Sequence, residues 1–468
     1  MRLLLAAVCL LLAAGVWAQE PPAGNPPEAP TVSPEVTQEA TPEAAEQEPA
    51  EYEGPAILSR GGSATVARGS RLMTLRPYAS VSGIYDDGLE HLDVNAQGQV
   101  SPVASFGEEV RLGVSGSRDW AATELDLDYR GSLRNYATAS NYDTFDNGLI
   151  LTIRHRASRH VTVEFQEDAS RYTNSFSMPY NLGAYYDPLI NGLTTNELFD
   201  TPTYALMSGA RLTYQRTSRL SFSIGGTGFF VRRPAALFGA SGFTGTGDVA
   251  YRLTRYQTIG VAYSYTHFSY THQVGSADLH GISLNYSVRM GKHWEFALLA
   301  GGYRVQSRQV APAQIDPSVA AIFGVFVGTQ VFDRTFYAPH YEGHLTRDFH
   351  HGTWSLNYVH TMMPGNGVYS TSSYQNGQMS YSYNGIRKVS LQCQASYYGY
   401  SSVAQTLGRY SSYDAGGGAS LKLSQAFSLI SRLDARHYDA GASALLRNEY
   451  RASLGIAWSP GDRPLAVW

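Results

Sequence analysis

The chain has 468 residues, a formal net charge of −4 and two cysteines, Cys9 and Cys393. So small a charge excludes a nucleic-acid binder, which needs a strong basic field, and two cysteines exclude a disulfide scaffold or a cysteine-built metal cluster. Mean hydropathy is −0.24, and past the amino terminus no apolar run approaches the roughly eighteen residues of a membrane helix.

Met1-Arg2 followed by an apolar run from Leu3 to Trp17, with Val16-Trp17-Ala18 at cleavage spacing before Gln19, reads as a secretory signal peptide over 1–18. Cleavage near Ala18 would leave Cys393 as the lone cysteine. Residues 19–56 form a Pro-, Glu- and Ala-rich segment that cannot bury a core and reads as a disordered periplasmic linker. Glu20 to Glu53 holds nine glutamates and no Lys or Arg, which leaves 34 basic and 30 acidic residues in the remainder, a net of about +4. Residues 57–74 have no clear period and read as a tether or small plug.

From residue 75 to 468 the pattern is β-strand. Val389, Leu391, Cys393, Ala395 and Tyr397 alternate with Ser390, Gln392, Gln394 and Ser396. After a polar loop the alternation resumes at Ala419, Leu421 and Leu423. A tight turn at Gln425-Ala426 leads to Phe427, Leu429 and Leu433. Period two is a strand with one apolar and one polar face. The unit of strand, long loop, strand and tight turn recurs from Leu75–Tyr85 through Phe106–Ser117, Trp120–Tyr136, Leu149–Ala157 and Val161–Ala169. It continues from Tyr204 through Leu345, and on to Tyr450–Trp458. About ten residues per strand, apolar outside and small polar inside, with one loop class systematically longer, predicts an all-β, up-and-down antiparallel transmembrane barrel of about 18 strands, 16 to 20 being compatible. An even count puts both termini and the short turns on the periplasmic side. The 33 tyrosines suit an interfacial belt. Residues 308–338 are open between a constriction loop in the lumen, an additional hairpin and part of the wall.

On these features the chain resembles bacterial outer-membrane β-barrels of the porin type over residues 75–468. The segment from Arg76 to Asp87 also resembles the first strand of barrels from exopolysaccharide-associated systems. The porin resemblance implies localisation in the outer membrane after export, contact with its lipid, and insertion by the outer-membrane assembly machinery. That machinery reads a terminal aromatic, here Trp458 or Trp468. By analogy it also admits a homotrimer.

Strand parity nominates the lumen. Glu109, Arg111, Glu124, Asp126, Asp128, Arg130 and Arg134 face away from Val110, Leu112, Leu125, Leu127 and Tyr129, and Arg154, Arg156, Glu164 and Asp168 follow the same rule. These residues are expected to line the pore as its charged side. The competing reading is a cross-strand ladder of ion pairs that stabilises the wall. Later strands turn Ser221, Ser223, Ser283, Asn285, Gln378, Ser380, Gln392 and Gln394 inward. Tyr180, Tyr185, Tyr186, Tyr397, Tyr398 and Tyr400, near long loops, are candidates for stacking on sugar rings, with belt packing the plainer role. His267, His272, His280 and Asp278 fall near one loop, but ordinary loop histidines explain them and no metal site is expected. Gly-x-Ser-x-Gly, His-Glu-x-x-His and P-loop patterns do not occur. The expectation is therefore a channel without enzymatic activity or cofactor that passes small hydrophilic solutes. A polysaccharide-export barrel with a periplasmic partner and a structural barrel are the alternatives.

Overall fold

The computed structural model describes residues 73–89, 103–173, 202–233, 239–271, 275–314, 327–365, 371–403, 409–439, 446–461 and 463–465. The expected signal peptide and linker, the expected tether up to residue 72, the candidates Tyr180, Tyr185, Tyr186 and His272, and Trp468 lie outside them, while Met73 and Thr74 of that tether belong to the first strand.

The wall begins with β1 (Met73–Leu89), β2 (Val103–Asp119), β3 (Thr123–Tyr136), β4 (Thr144–Arg156), β5 (Val161–Tyr172) and β6 (Thr203–Gln215). It continues through β7 (Leu220–Arg232), β8 (Ala240–Arg252), β9 (Gln257–Tyr270), β10 (Gly275–Met290), β11 (Trp294–Gln314) and β12 (Val327–Phe349). β13 (Gly352–Pro364), β14 (Thr371–Ile386), β15 (Val389–Ser402), β16 (Arg409–Lys422), β17 (Phe427–Asp439) and β18 (Leu446–Trp458) complete it, with a three-residue β19 (Arg463–Leu465) behind. Every consecutive pair from β1 to β18 is antiparallel, and β1 pairs with both β2 and β18, so the sheet closes on itself. Closure satisfies the backbone N–H and C=O groups of both edges, which a bilayer could not do.

The 18 wall strands match the number read from periodicity. β19 is the continuation of the last strand: β1 pairs with β18 along Ala79–Asp87 and with β19 along Met73–Leu75. Gly461, at φ +78°, takes a left-handed turn between them that a side chain would strain. Trp458 ends the long strand, in register with Ala79 on one side and Phe427 on the other.

Residues 308–338 resolve differently from the constriction-loop alternative. β11 and β12 run on as a paired ladder from Trp294↔Arg347 to Gln314↔Val327, so the described part of this region is wall, in strands of 21 and 23 residues. The alternation that reveals ordinary strands is blurred here because residues beyond the bilayer band need not keep one apolar face.

At the seam, Gly455 of β18 lies against β1, where a Cβ would collide with Ser82 Oγ and the Val81 carbonyl. Close backbone approach at the join between first and last strands is the reason for glycine there.

Candidate functional site: the inner wall

Strand alternation gives the barrel two surfaces of opposite character. Leu112, Ile224, Val261, Leu284, Leu298, Leu433, Leu454 and Ile456 stand exposed on the outer face. Exposed aromatics flank this band. Tyr214, Tyr251, Phe427 and Trp458 sit towards the short turns, and Phe106, Tyr204, Phe230, Tyr413 and Tyr450 towards the loops. At the short-turn rim, the guanidinium carbons of Arg118 and Arg347 lie 4.4 and 4.8 Å from the ring centres of Trp120 and Trp294. An exposed aliphatic belt between two aromatic girdles, on a sheet without edges, is a surface built for lipid. The chain is a membrane-spanning barrel.

The inner face carries the charge. Glu109 binds Arg111 at 2.7 Å and lies 3.5 Å from Arg134, which also pairs with Asp146. Thr173 donates to Asp146 at 2.7 Å. Arg130 grips Asp128 with two bonds of 2.9 and 2.6 Å. Arg154 bridges Glu124 at 2.9 Å and Glu164 at 3.1 Å. Asp126 and Arg156 share the same inner parity on β3 and β4. Most of these charged residues are tied into pairs along or across neighbouring strands. That is the ladder arrangement.

Periodicity alone confined this charge to the early strands, and closure corrects that. β18 lies beside β1, so inward residues from the far end of the chain extend the same arc. Arg451 is in register with Asp86 across the seam and binds it at 2.8 Å, and Tyr136 also donates to Asp86. Arg436 lies 2.5 Å from Asp414 and 3.6 Å from Glu449, while Arg432 holds Asp434 at 2.6 and 2.8 Å. Asp86, Glu109, Arg134, Asp146, Glu449 and Arg451 are all below 5% exposed. Their parity was readable; their adjacency was not, because β1 and β18 are hundreds of residues apart in the chain.

On the facing arc the inward residues are mostly neutral, including Ser223, Ser283, Asn357, Asn376, Gln378, Ser380 and Gln392. Towards the loops, apolar side chains take inward positions: Met207, Phe229, Val231, Phe268, Leu279 and Val305 form one buried cluster. Polarity rules for a wet lumen do not anticipate it. The inward tyrosines continue the packing, with Tyr374 and Tyr400 rings 5.0 Å apart and Tyr400 and Tyr410 5.9 Å apart.

This corrects the exposure expected of two stacking candidates. Tyr398 and Tyr400 are 1% exposed, turned inward and packed, so neither ring offers a free face to a sugar. Tyr397, one residue along, has the outward parity, pairs with Tyr413 at 5.1 Å and receives a hydrogen bond from Arg409.

The histidines also sort by parity. His267 and His280 take the outward parity of β9 and β10; His267 binds Asp278 at 2.8 Å and His280 binds Tyr263 at 2.9 Å. Among the described residues no group of three His, Cys, Asp or Glu is placed to hold a metal ion. His344 on β12 stands inward, 2.6 Å from Thr346 Oγ1 and hydrogen-bonded through Nδ1 to Asn357. A hydroxyl, an imidazole and an amide in line have the order of a nucleophile, base and orienter. Here they sit in mid-strand, where the ladder of β12 and β13 occupies the backbone donors that an oxyanion would need.

No protein-family model matches the chain, and no curated protein matches it. Solved structures similar to it include Pseudomonas aeruginosa OpdQ, 11% identical over 84% of this chain and 98% of that one, with a TM-score of 0.40. Also similar are a BenF-like porin from Pseudomonas fluorescens Pf-5 (11% identity, 82% and 98% covered, TM-score 0.41) and Acinetobacter baumannii OccAB4 (11%, 83% and 98%, 0.38). Likeness at this level carries no functional weight; the barrel's own geometry does.

Proposed function

We propose that this barrel sits in a bacterial outer membrane and lets small hydrophilic solutes cross passively. The carrying observation is the inversion of sidedness, with an aliphatic belt and aromatic girdles outside and a charged and amide-lined wall inside. Eighteen strands enclose a lumen wide enough for water. The charged arc facing a neutral arc would orient dipolar solutes in transit. Buried inward aromatics and the apolar cluster narrow one side towards the loops, which favours small solutes over a polymer in transit. The lipid of that membrane is its solvent, the assembly machinery would read Trp458 at the end of the last long strand, and the barrel needs no cofactor.

The test is the purified, heat-modifiable protein in a planar bilayer, with neutral sugars added to one side. Stable, salt-dependent conductance is expected, with sugar-dependent reduction of the current if saccharides enter. Silence from the folded protein would overturn the channel reading and leave a structural or gated-export barrel.

A further inference from the structure

Asp168 is the exception on the inner wall. The other buried carboxylates of the charged arc each meet an arginine, but Asp168 forms no ion pair and no hydrogen bond among the described residues, although it is only 8% exposed. Register explains this. Its in-register partner on β4 is Ile150 and its in-register partner on β6 is Met207, so neither directly opposite residue is a cation. A buried carboxylate left alone costs several kcal/mol as a rule, and its persistence calls for an explanation.

The carboxylate opens into a recess of about 80 Å³ in the inner wall, which Glu164, Gln166, Met207, Arg211 and Thr246 also line. Two glycines make the room. Gly209 and Gly225 take inward positions on β6 and β7, and a Cβ on Gly225 would come within 3.2 Å of the Thr246 hydroxyl and the Ala210 carbonyl. The remaining charges of the recess are answered: Glu164 lies 3.1 Å from Arg154, and Arg211 lies 3.9 Å from Asp248. Asp168 is the unanswered one.

We propose that this recess is a binding site for a small organic cation, with a primary ammonium group on Asp168 and its carbon stem against Met207 and the glycine floor. A surplus carboxylate rejects anions. The absence of a second and third ligand among the described residues disfavours a metal ion, and the Gln166, Thr227 and Thr246 side chains offer the remaining ammonium protons acceptors. The inference deepens the channel reading, because it assigns that channel a cationic solute class and a stop along its path.

The probe is n-propylammonium chloride, with 1-propanol as the uncharged control. Calorimetric titration of the folded barrel in detergent is expected to show propylammonium binding and no propanol binding. Asp168→Asn should weaken it by at least tenfold, the size of one hydrogen bond to a charged group. Gly225→Ala, which fills the recess without touching the charge, should weaken it as well, and Asp168→Glu should retain part of it. Heat-modifiability on gels establishes that each variant is folded. No binding by the wild-type protein, or equal binding by Asp168→Asn, overturns the site. In a bilayer, propylammonium should reduce the current of the wild type more than that of Asp168→Asn. A silent barrel that still binds propylammonium through Asp168 would overturn the channel and keep the site; a conducting barrel with no such binding would do the reverse.

Discussion

Arg451 and Asp86 face one another across the junction of the first and last long strands, and both are almost wholly buried. A buried pair adds little over a well-packed apolar one, but removing one partner strands the other charge, at about 3–5 kcal/mol. Arg451→Ala is therefore expected to lower the free energy of unfolding, read from urea titration in lipid vesicles, by that order, and Asp86→Asn in the same background to restore part of the loss. Restoration would show that the stranded carboxylate, rather than lost packing, is the penalty. Arg154 is different. At 37% side-chain exposure its pairs with Glu124 and Glu164 are screened by lumen water, so Arg154→Ala should change stability by less than about 1 kcal/mol. It should instead leave two carboxylates uncompensated and shift the reversal potential in a salt gradient towards cations. Unchanged selectivity in both Arg154→Ala and Arg130→Ala would mean that the ladder only holds the wall together.

A single strand shows how much the faces differ. On β18, Leu454 stands outward midway between the aromatic rungs Tyr450 and Trp458 and is 59% exposed. Leu454→Arg would put a charge in the hydrocarbon and is expected to cost about 2–4 kcal/mol in vesicle unfolding. Gln392→Arg, on the inner parity of β15, should be tolerated with a far smaller change. Similar costs for the two would contradict the assignment of faces. The long β11–β12 pair adds a limit to this logic, since its register continues past the length a bilayer requires and the outer face there is no longer selected for lipid. Strand existence follows from alternation; strand length does not.

For the whole molecule, the number and order of strands settle which residues can be neighbours. Cys393 has outward parity on β15 and is free of disulfide. Residues 19–468, which hold Cys393 as their one cysteine, folded into liposomes should therefore resist a membrane-impermeant maleimide, and react when unfolded in urea. Rapid labelling of the folded form would place that position in water and invert the barrel's faces. The same sidedness bears on enzymes: His267, His280 and His360 take outward parity, and the inward His344 sits in mid-strand, where backbone donors are already paired.

The period-two pattern carried the all-β class, a barrel of about eighteen strands, the alternation of short and long connections, and the parity that sets Glu109, Arg130, Arg154 and Glu164 on the face opposite the apolar one. Those properties are local, because side-chain direction along a strand repeats every two residues whatever the strand pairs with. Tertiary closure decided the rest. It placed Arg451 on Asp86, joined the charges of β16–β18 to those of β1–β5, packed Tyr398 and Tyr400 against neighbours, and left Asp168 between Ile150 and Met207. Which side chain meets which depends on register between strands. Register is fixed by the hydrogen-bond ladder of the closed sheet, not by the order of residues along any one strand.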